Sequence, residues 1–228
     1  MTAAAYSDGL LDLSAGKLSR YNEIAERRYA TYVRAMGGRR SFRLLEIGCG
    51  TAGLAARFAQ LGVDYWGIDI DDRMVDDCAR RGVTFVKKGD FLTFEAGRFD
   101  VICASQVLEH IVVPRTFVTH IRELLNPGGI VHVDVPNHGA LAGYVATTLR
   151  RPNRFLGIEY PHHSFAYRKR TLRRLFEGSF HIDVFDANPT HRTWGQANDQ
   201  DSAFTAFYAL SGALHLGSLL VAFGRLTP

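Results

Sequence analysis

Cysteine is scarce in this chain of 228 residues, and its three cysteines are scattered. Cys49, Cys78 and Cys103 form no CxxC pair and no Cys/His pair with zinc spacing, so we expect neither a disulfide framework nor a zinc finger. The first residues lack a basic start followed by an apolar block, so we expect no signal peptide. Reduced thiols and a cytoplasmic location are the corresponding expectation.

Neither sign of charge dominates, because the formal net charge is +4 with 22% charged and 46% hydrophobic residues. That composition is typical of a globular chain that can bury a full core. One uncharged run, 202–224, is long enough to span a bilayer, but polar residues and glycines dilute it. We expect no membrane span there. The run predicts a buried helix and a strand, or else packing between the subunits of a dimer.

Basic residues are concentrated between Arg150 and Arg174, where Glu159 is the single acid. Such a patch predicts either contact with an anionic partner or acceptor, or a solvated helix face. No DNA contact is expected. Aromatic residues interleave with the basic ones, and exposed aromatics are the stacking platforms that RNA readers use. An enzyme acting on RNA or protein therefore stays open as an alternative.

Short apolar runs alternate with segments of helical period along the chain. Seven segments predict strands: 42–47, 64–70, 83–86, 99–104, 130–135, 180–187 and 218–223. Five predict helices: 17–36, 54–61, 71–81, 114–125 and 171–177. This alternation predicts an α/β fold with a doubly wound sheet and helices on both faces. We expect a single domain over residues 1–228, with an N-terminal helical extension (1–39) and an insert or cap on the substrate side (137–170).

A GxGxxG motif, formed by Gly48, Gly50 and Gly53, lies between the first strand and the next helix. Glycines there let the backbone turn sharply and approach a ligand closely. Asp69, at the end of the second strand, can accept both hydroxyl hydrogens of an adenosine ribose, or it can cap the following helix. These features alone suit an NAD-dependent oxidoreductase equally well.

Two further acids favour a cationic ligand. Glu46 precedes Gly48 by two residues, where it would oppose a pyrophosphate but suit S-adenosylmethionine, which carries a sulfonium and an ammonium. Asp90 follows the third strand and can bind an adenine amino group or hold a turn. A C-terminal strand pair replaces a second nucleotide-binding half. The sequence therefore favours S-adenosylmethionine, with the NAD-dependent oxidoreductase as an alternative.

Six motifs keep a fixed order over residues 40–136: LLEIGCGT (44–51), GID (67–69), GDF (89–91), FDVI (99–102), QVLEHI (106–111) and LLNPGG (124–129). With them the chain resembles the class I S-adenosylmethionine-dependent methyltransferases. HHSF (162–165) and TLRRLF (171–176) resemble the stand-alone enzymes of quinone, glycan and natural-product biosynthesis. The resemblance implies a Rossmann-like seven-stranded sheet with its last strand antiparallel. It also implies methyl transfer to a small-molecule acceptor, most readily to a hydroxyl, with S-adenosylhomocysteine as the second product.

The resemblance also implies which residues hold the methionine part of the cofactor. The backbone from Gly48 to Gly50 would bind it, and Glu46 would support this loop. Cys49 would contribute its backbone rather than a reactive thiol. Tyr21 would close over the methionine carboxylate. Ala52 stands where many members have glycine, and we expect little effect from that departure.

The resemblance implies a second set of residues that would bind the nucleoside part of S-adenosylmethionine and surround its methyl group. Asp69 would bind the ribose, and Asp90 would reach the adenine amine. Two further residues, Ile70 and Phe91, would pack beside the adenine. The floor of the pocket near the sulfonium would be lined by Ser105, Gln106 and Val107. The intact acids of these motifs argue against a degenerate domain that binds the cofactor without catalysis.

A hydroxyl acceptor must lose a proton during methyl transfer, and histidine is the commonest base. His110 follows the fourth strand and matches a recurring position of the family. His138 follows the fifth strand, and His163, with His162 before it, ends the insert. We take His110, His138 and His163 as candidate catalytic residues. The contiguous run 134–138 offers oxygen and nitrogen ligands but no distant partner, so we expect no metal ion.

Overall fold

The computed structural model describes residues 15–140, 163–187 and 219–227. Its helices are α1 (Ala15–Ala35), α2 (Ala55–Gln60), α3 (Asp72–Arg80), α4 (Pro114–Leu124) and α5 (Lys169–Phe176). Its strands are β1 (Arg43–Ile47), β2 (Asp64–Asp69), β3 (Val86–Lys88), β4 (Phe99–Ser105), β5 (Leu125–Pro136), β6 (Phe180–Ala187) and β7 (Leu219–Leu226). Short 3-10 helices cover Phe91–Thr93 and Leu108–His110.

The strands form one sheet in the order β3-β2-β1-β4-β5-β7-β6. β1 pairs in parallel with β2 and β4, β2 pairs in parallel with β3, and β6 and β7 are antiparallel. This confirms the predicted doubly wound sheet with an antiparallel C-terminal pair. The chain divides into an N-terminal unit, which runs to Ala104 and includes Glu123–Ile130, and a C-terminal unit, which comprises Ser105–Arg122 and the residues from Val131 on.

The core of the N-terminal unit is built on aromatic contacts. Tyr65 of β2 stacks on Phe58 of α2 with ring centroids 6.0 Å apart, and it meets Phe85 edge-on at 5.9 Å. Tyr32 of α1 meets Phe42 edge-on at 6.1 Å. Full burial of each such side chain contributes about 1.5–3 kcal/mol. The packing holds β1 and β2 in register, so the loops after the two strands begin side by side.

In the C-terminal unit, α5 is amphipathic. Leu172 and Phe176, four residues apart on one face of the helix, are fully buried. Phe176 meets Phe180 of β6 edge-on at 5.8 Å, which joins the helix to the antiparallel pair. The helix and strands predicted at this end of the chain are therefore present, with β7 starting at Leu219 and ending three residues beyond the predicted limit.

Two strand boundaries differ from the sequence prediction. β3 covers Val86–Lys88 rather than 83–86, because Gly82 takes a φ of +78° and the chain turns before it extends. β5 starts at Leu125 rather than 130, so it includes Asn126–Gly129, whose composition is typical of a turn. The Leu125 carbonyl accepts a hydrogen bond of 2.7 Å from Arg98, a tertiary contact that turn composition does not reveal.

No helix among the described residues is long and apolar enough to cross a membrane. Most of the uncharged run 202–224 lies outside the described residues, and so do His162 and most of the predicted insert. The C-terminal end of that run belongs to β7, whose side chains are alternately buried.

Gly67 in the middle of β2 tests this packing. A Cβ added there would lie 2.7 Å from the sulfur of Cys49 and 3.1 Å from Val86. We expect Gly67→Ala to lower the free energy of unfolding by about 1–3 kcal/mol, because the added methyl overpacks a filled space. Urea denaturation measures the change. Gly89→Ala is the matched control, since its nearest neighbour would be Ile68 at 3.7 Å.

The double variant Gly67→Ala/Cys49→Ala identifies the contact responsible. Removing the sulfur gives the new methyl room, so the two changes should be less harmful together than the sum of their separate effects. Strict additivity would show that Cys49 and Gly67 do not share this space.

Candidate functional site

The turn after β1 places two glycines in a conformation that other residues rarely adopt. Gly48 and Gly50 have φ of +65° and +53°. The amides of Gly48 and Cys49 donate to the Ile68 carbonyl at 2.8 and 3.2 Å, which ties the turn to the end of β2. Ala52 also takes a positive φ, +49°, where an L-residue is strained by about 1–2 kcal/mol. The departure from glycine therefore falls at a position whose conformation favours glycine.

Asp69 connects the end of β2 to this turn. Its Oδ2 accepts from the Gly50 amide at 2.7 Å, and its Oδ1 accepts from the Asp71 amide at 2.9 Å. Asp71, rather than Asp69, caps α3 by accepting from Arg73 at 2.9 Å. Each carboxylate oxygen has a second lone pair, so Asp69 keeps acceptor capacity for ligand hydroxyls. Its predicted role at the ribose stays a prediction.

Glu46 is buried beside the same turn with two partners. The Tyr65 hydroxyl donates to its Oε2 at 2.5 Å, and Arg28 of α1 approaches its Oε1 at 3.7 Å. Burial, and then the negative charge of Glu46, raise the pKa of Tyr65 well above its usual value, so the phenol keeps its proton. Glu46 therefore lies next to the glycine turn in a polar network.

Sequence reasoning missed Arg28. The spacing of residues along α1 could have identified it. Arg28 lies three residues after Ala25 and four before Tyr32, so it falls on the same helix face as these two fully buried residues. A charged residue at such a position needs a charged or polar partner, and Glu46 is that partner. The arginine brings a cationic group to the surroundings of Glu46.

Tyr21 packs directly on the glycine turn. A Cβ on Gly53 would meet the Tyr21 ring carbons at 2.5 to 2.8 Å, so glycine at this position is what lets the ring approach. Burial is the largest influence on the Tyr21 hydroxyl and raises its pKa. A hydrogen bond with Thr51 works against that rise, and the charge of Glu46 adds to it. The ring thus covers the turn, and its closure over the methionine carboxylate stays a prediction.

Cys49 lies with its sulfur against Gly67. Burial, followed by the charges of Glu46 and Asp69, raises the pKa of this thiol well above its usual value. A protonated, buried thiol is a poor nucleophile. The backbone role of Cys49 at the ligand stays a prediction.

The residues expected at the adenine differ in exposure. Ile70 exposes 72% of its surface although it is large and apolar, whereas Phe91 is buried. Asp90 caps the short 3-10 helix that follows β3, since its Oδ1 accepts from the Leu92 amide at 2.9 Å. The alternative turn role of Asp90 is therefore present, and its predicted contact with an adenine amine stays a prediction.

In the C-terminal unit, Asp134 organises the residues that follow β4. Its carboxylate accepts from the Ser105 hydroxyl at 2.8 Å and from the Gln106 side-chain amide at 3.1 Å. The Asp134 carbonyl accepts from the Gln106 amide at 2.9 Å, and Gln106 takes a φ of +56°. The side chains of Ser105 and Gln106 are thus engaged, whereas Val107 is half-buried and carries no polar group.

Two of the three candidate histidines lie together. The rings of His110 and His163 meet edge-on with centroids 4.8 Å apart. Glu109, which sequence reasoning did not select, joins them. One carboxyl oxygen of Glu109 and one nitrogen of each imidazole all lie within 4.8 Å of one another. We call Glu109, His110 and His163 the Glu–His cluster, a set of side chains that can share protons or bind a cation.

His138 is not part of the Glu–His cluster, and its surroundings are different. It is half-buried, and its backbone amide donates to the Tyr167 carbonyl at 2.9 Å. Burial, followed by the charge of Arg168, lowers the pKa of its imidazole, so the ring is neutral at pH 7. Nearby, Asn137 donates to Asp186 at 3.2 Å and accepts from the Gly139 amide at 2.8 Å. The amide of Asn137 is therefore engaged, and the expectation of no metal ion stays a prediction.

The described part of the basic patch lies on and just before α5. Its basic residues, 168–170 and 173–174, are exposed, while Leu172 and Phe176 face the core. Lys169 pairs with Asp186 at 3.4 Å. The arrangement is that of an amphipathic surface helix. The arginines before residue 155 lie outside the described residues.

Burial of the Cys49 thiol gives a direct prediction. Alkylation of the native protein by iodoacetamide at pH 7 should leave Cys49 unmodified, because the thiolate is scarce and the sulfur is packed. Mass spectrometry of peptides from native and urea-unfolded protein measures the modification. Rapid labelling of Cys49 in the native state would contradict the raised pKa of this thiol and the packing of its sulfur against Gly67.

Comparison with known proteins gives the family. A family model described as a methyltransferase domain matches residues 21–179, more than two thirds of the chain. A ubiquinone biosynthesis O-methyltransferase of Cereibacter sphaeroides is 35% identical over 96 residues, which cover 39% of this chain and 39% of that protein. The match thus spans about two fifths of the length of this curated relative.

Solved structures agree at the level of the fold. A S-adenosylmethionine-dependent methyltransferase from Archaeoglobus fulgidus aligns with a TM-score of 0.60 at 16% identity, over 90% of this chain and 94% of that chain. The magnesium protoporphyrin IX methyltransferase of Synechocystis PCC 6803, solved with bound S-adenosylhomocysteine, aligns with a TM-score of 0.61 at 14% identity, over 92% and 84%. Identities this low support the fold alone. Because the family model covers most of the sequence, the chain belongs to the methyltransferase domain family.

Proposed function

We propose that this protein transfers a methyl group from S-adenosylmethionine to a hydroxyl group of a small-molecule acceptor and releases S-adenosylhomocysteine. The observation that carries the proposal is the acid-flanked glycine turn, in which Asp69 binds the Gly50 amide and Glu46 lies buried beside it. Membership of the methyltransferase domain family supports the same reaction. Similarity to ubiquinone biosynthesis O-methyltransferases supports a hydroxyl acceptor.

The charges of the turn suit S-adenosylmethionine better than a dinucleotide. Asp69 and Glu46 would repel a diphosphate in a partly buried site, whereas they favour a ligand that carries a sulfonium and an ammonium. The backbone turns with positive φ leave space for a ligand near Gly48 and Gly50. The methyltransferase domain family and the O-methyltransferase relative described above give no support to an NAD-dependent oxidoreductase or an RNA methyltransferase.

Each binding residue has a chemical role in this proposal. Asp69 accepts hydrogen bonds from the ribose hydroxyls, and exposed Ile70 packs against the adenine. Glu46 holds the loop that contacts the methionine ammonium. Tyr21, which covers the turn, and Arg28, which brings a guanidinium to Glu46, provide donors for the methionine carboxylate.

The chemistry requires alignment and removal of one proton. S-adenosylmethionine supplies an electrophilic methyl group with a good leaving group, so an in-line approach of the acceptor oxygen is the main requirement. A histidine then accepts the hydroxyl proton. His163 is our choice for this base because the Glu–His cluster provides it with neighbouring groups that can accept charge. His138, whose backbone amide donates to the Tyr167 carbonyl, is the alternative.

Asp69→Asn tests the cofactor assignment. The variant keeps the shape of the side chain but removes its charge and one acceptor, so affinity for S-adenosylhomocysteine should fall about 10- to 100-fold. Titration calorimetry measures the affinity. Asp64→Asn, at the other end of β2, is the matched control and should bind normally. Unchanged binding by Asp69→Asn, or tighter binding of NAD⁺ than of S-adenosylhomocysteine by wild type, would refute the assignment.

Replacement of the candidate bases separates catalysis from binding. With a panel of phenol and catechol acceptors, His163→Gln should lower kcat about 100-fold or more because proton removal is lost. Its affinity for S-adenosylhomocysteine should be unchanged. His138→Gln should retain turnover. If His138→Gln loses turnover and His163→Gln does not, the base is His138.

A further inference from the structure

Glu109 is a buried acid in a short 3-10 helix, with 1% of its surface exposed. Its Oε2 accepts no hydrogen bond from any residue in the described ranges. Burying an ionised carboxylate that lacks hydrogen-bond donors lowers the stability of the folded protein. The groups around Glu109 must therefore explain why an acid stands at this position. Burial, supported by the charge of Asp134, raises the pKa of Glu109 to about 8.

The groups that face Glu109 come from three parts of the C-terminal unit. Asp134 of β5 disfavours its negative charge. Burial, and then the charge of Glu109, raise the pKa of the Tyr167 hydroxyl, so that this neighbour keeps its proton. The imidazoles of His110 and His163 favour its charge whenever one of them is protonated. The three side chains are therefore close enough to influence one another's charge.

The backbone fixes this arrangement independently of side-chain charge. The carbonyl of Glu109 accepts from the amides of Ser164 and Phe165 at 2.8 and 3.0 Å. The Tyr167 hydroxyl reaches the Leu108 carbonyl at 3.5 Å. These bonds hold the segment that carries His163 against the 3-10 helix that carries Glu109. The side chains of the cluster thus have a built position rather than a chance approach.

The three side chains of the Glu–His cluster differ in their exposure to solvent, and this difference suggests a route for a proton. Glu109 is buried, His163 is half-buried and His110 is exposed. A proton taken up at His163 can reach solvent through His110, because Glu109 lies within 4.8 Å of both imidazoles. Such a path needs a group that gains and loses a proton near neutral pH, and a buried carboxyl can do so.

We propose that Glu109 is a positioning residue that exchanges a proton with His163 and His110, so that the Glu–His cluster carries the acceptor's hydroxyl proton to solvent. This inference rests on the proposed methyl transfer. The acceptor O–H bond breaks as the O–CH₃ bond forms, and the electron pair of the C–S bond stays on sulfur. The proton goes to a nitrogen of His163. The resulting imidazolium stabilises the Glu109 carboxylate, which releases its own proton through His110.

Proton titration of the histidines by NMR, in protein saturated with S-adenosylhomocysteine, tests this coupling without an acceptor. In wild type, the His110 and His163 signals should each follow two inflections, because each senses Glu109 as well as its own proton. Glu109→Gln should leave one inflection for each and lower both midpoints. Exposed His181 of β6 is the internal control and should not change. Identical His110 and His163 curves in wild type and Glu109→Gln would overturn the proposal.

The pH dependence of the melting temperature gives a second readout, which does not require turnover. The pKa of Glu109 is about 8 in the folded protein against 4.5 in the unfolded chain, so the folded state holds the proton more tightly. This carboxyl therefore costs stability progressively as pH rises from 4.5 to 8, and the full cost applies above 8. The Tm of Glu109→Gln relative to wild type should rise from about pH 5 to about pH 9. Exposed Glu177→Gln should show no such trend.

Kinetics distinguish a positioning role from a structural one. Glu109→Gln should lower kcat and change the pH profile, with KM and affinity for S-adenosylhomocysteine unchanged, and Glu109→Asp should restore part of the rate. Tight Zn²⁺ binding that His163→Gln abolishes would overturn the proton role and make the cluster a cation site. Coupled titration without any binding of S-adenosylhomocysteine would uphold the cluster and reject the methyl transfer on which its function rests.

Discussion

The hydrogen bonds that Asp69 accepts determine the shape of the candidate ligand site. One carboxylate binds both the Gly50 amide and the Asp71 amide, so the glycine turn after β1 and the start of α3 depend on the same side chain. The parallel pairing of β1 with β2 brings these loops side by side. An acid in that place gives the turn a negative charge, and this favours a cationic ligand over a diphosphate.

Glu46, Asp69 and Glu109 show how differently one fold can treat its acids. Asp69 is satisfied by backbone amides, and Glu46 by Tyr65 and Arg28. Glu109 has no described donor to its Oε2 and is surrounded instead by groups that titrate. Fixed donors favour the charged form of a carboxylate, whereas burial raises the pKa of Glu109 to about 8. The two proposals therefore assign ligand binding and proton transfer to separate acids.

The sequence predicted the sheet and the glycine turn because both depend on local patterns. Alternation of strands and helices, glycines at a strand end and Asp69 are visible in a single sequence. Arg28 and Glu109 were missed because their importance arises from long-range contacts, with Glu46 and with His163 respectively. The start of β5 was predicted at residue 130 because the turn-like composition of Asn126–Gly129 gives no sign that Arg98 and Asp100 hold this segment in a strand.

A crystal structure with S-adenosylhomocysteine bound tests the central claim most directly. The account predicts that both ribose hydroxyls donate to Asp69, that the adenine lies on Ile70, and that the homocysteine end lies against Gly48 and Gly50 under Tyr21. Density for the ligand elsewhere, or a ribose out of hydrogen-bonding reach of Asp69, would contradict it.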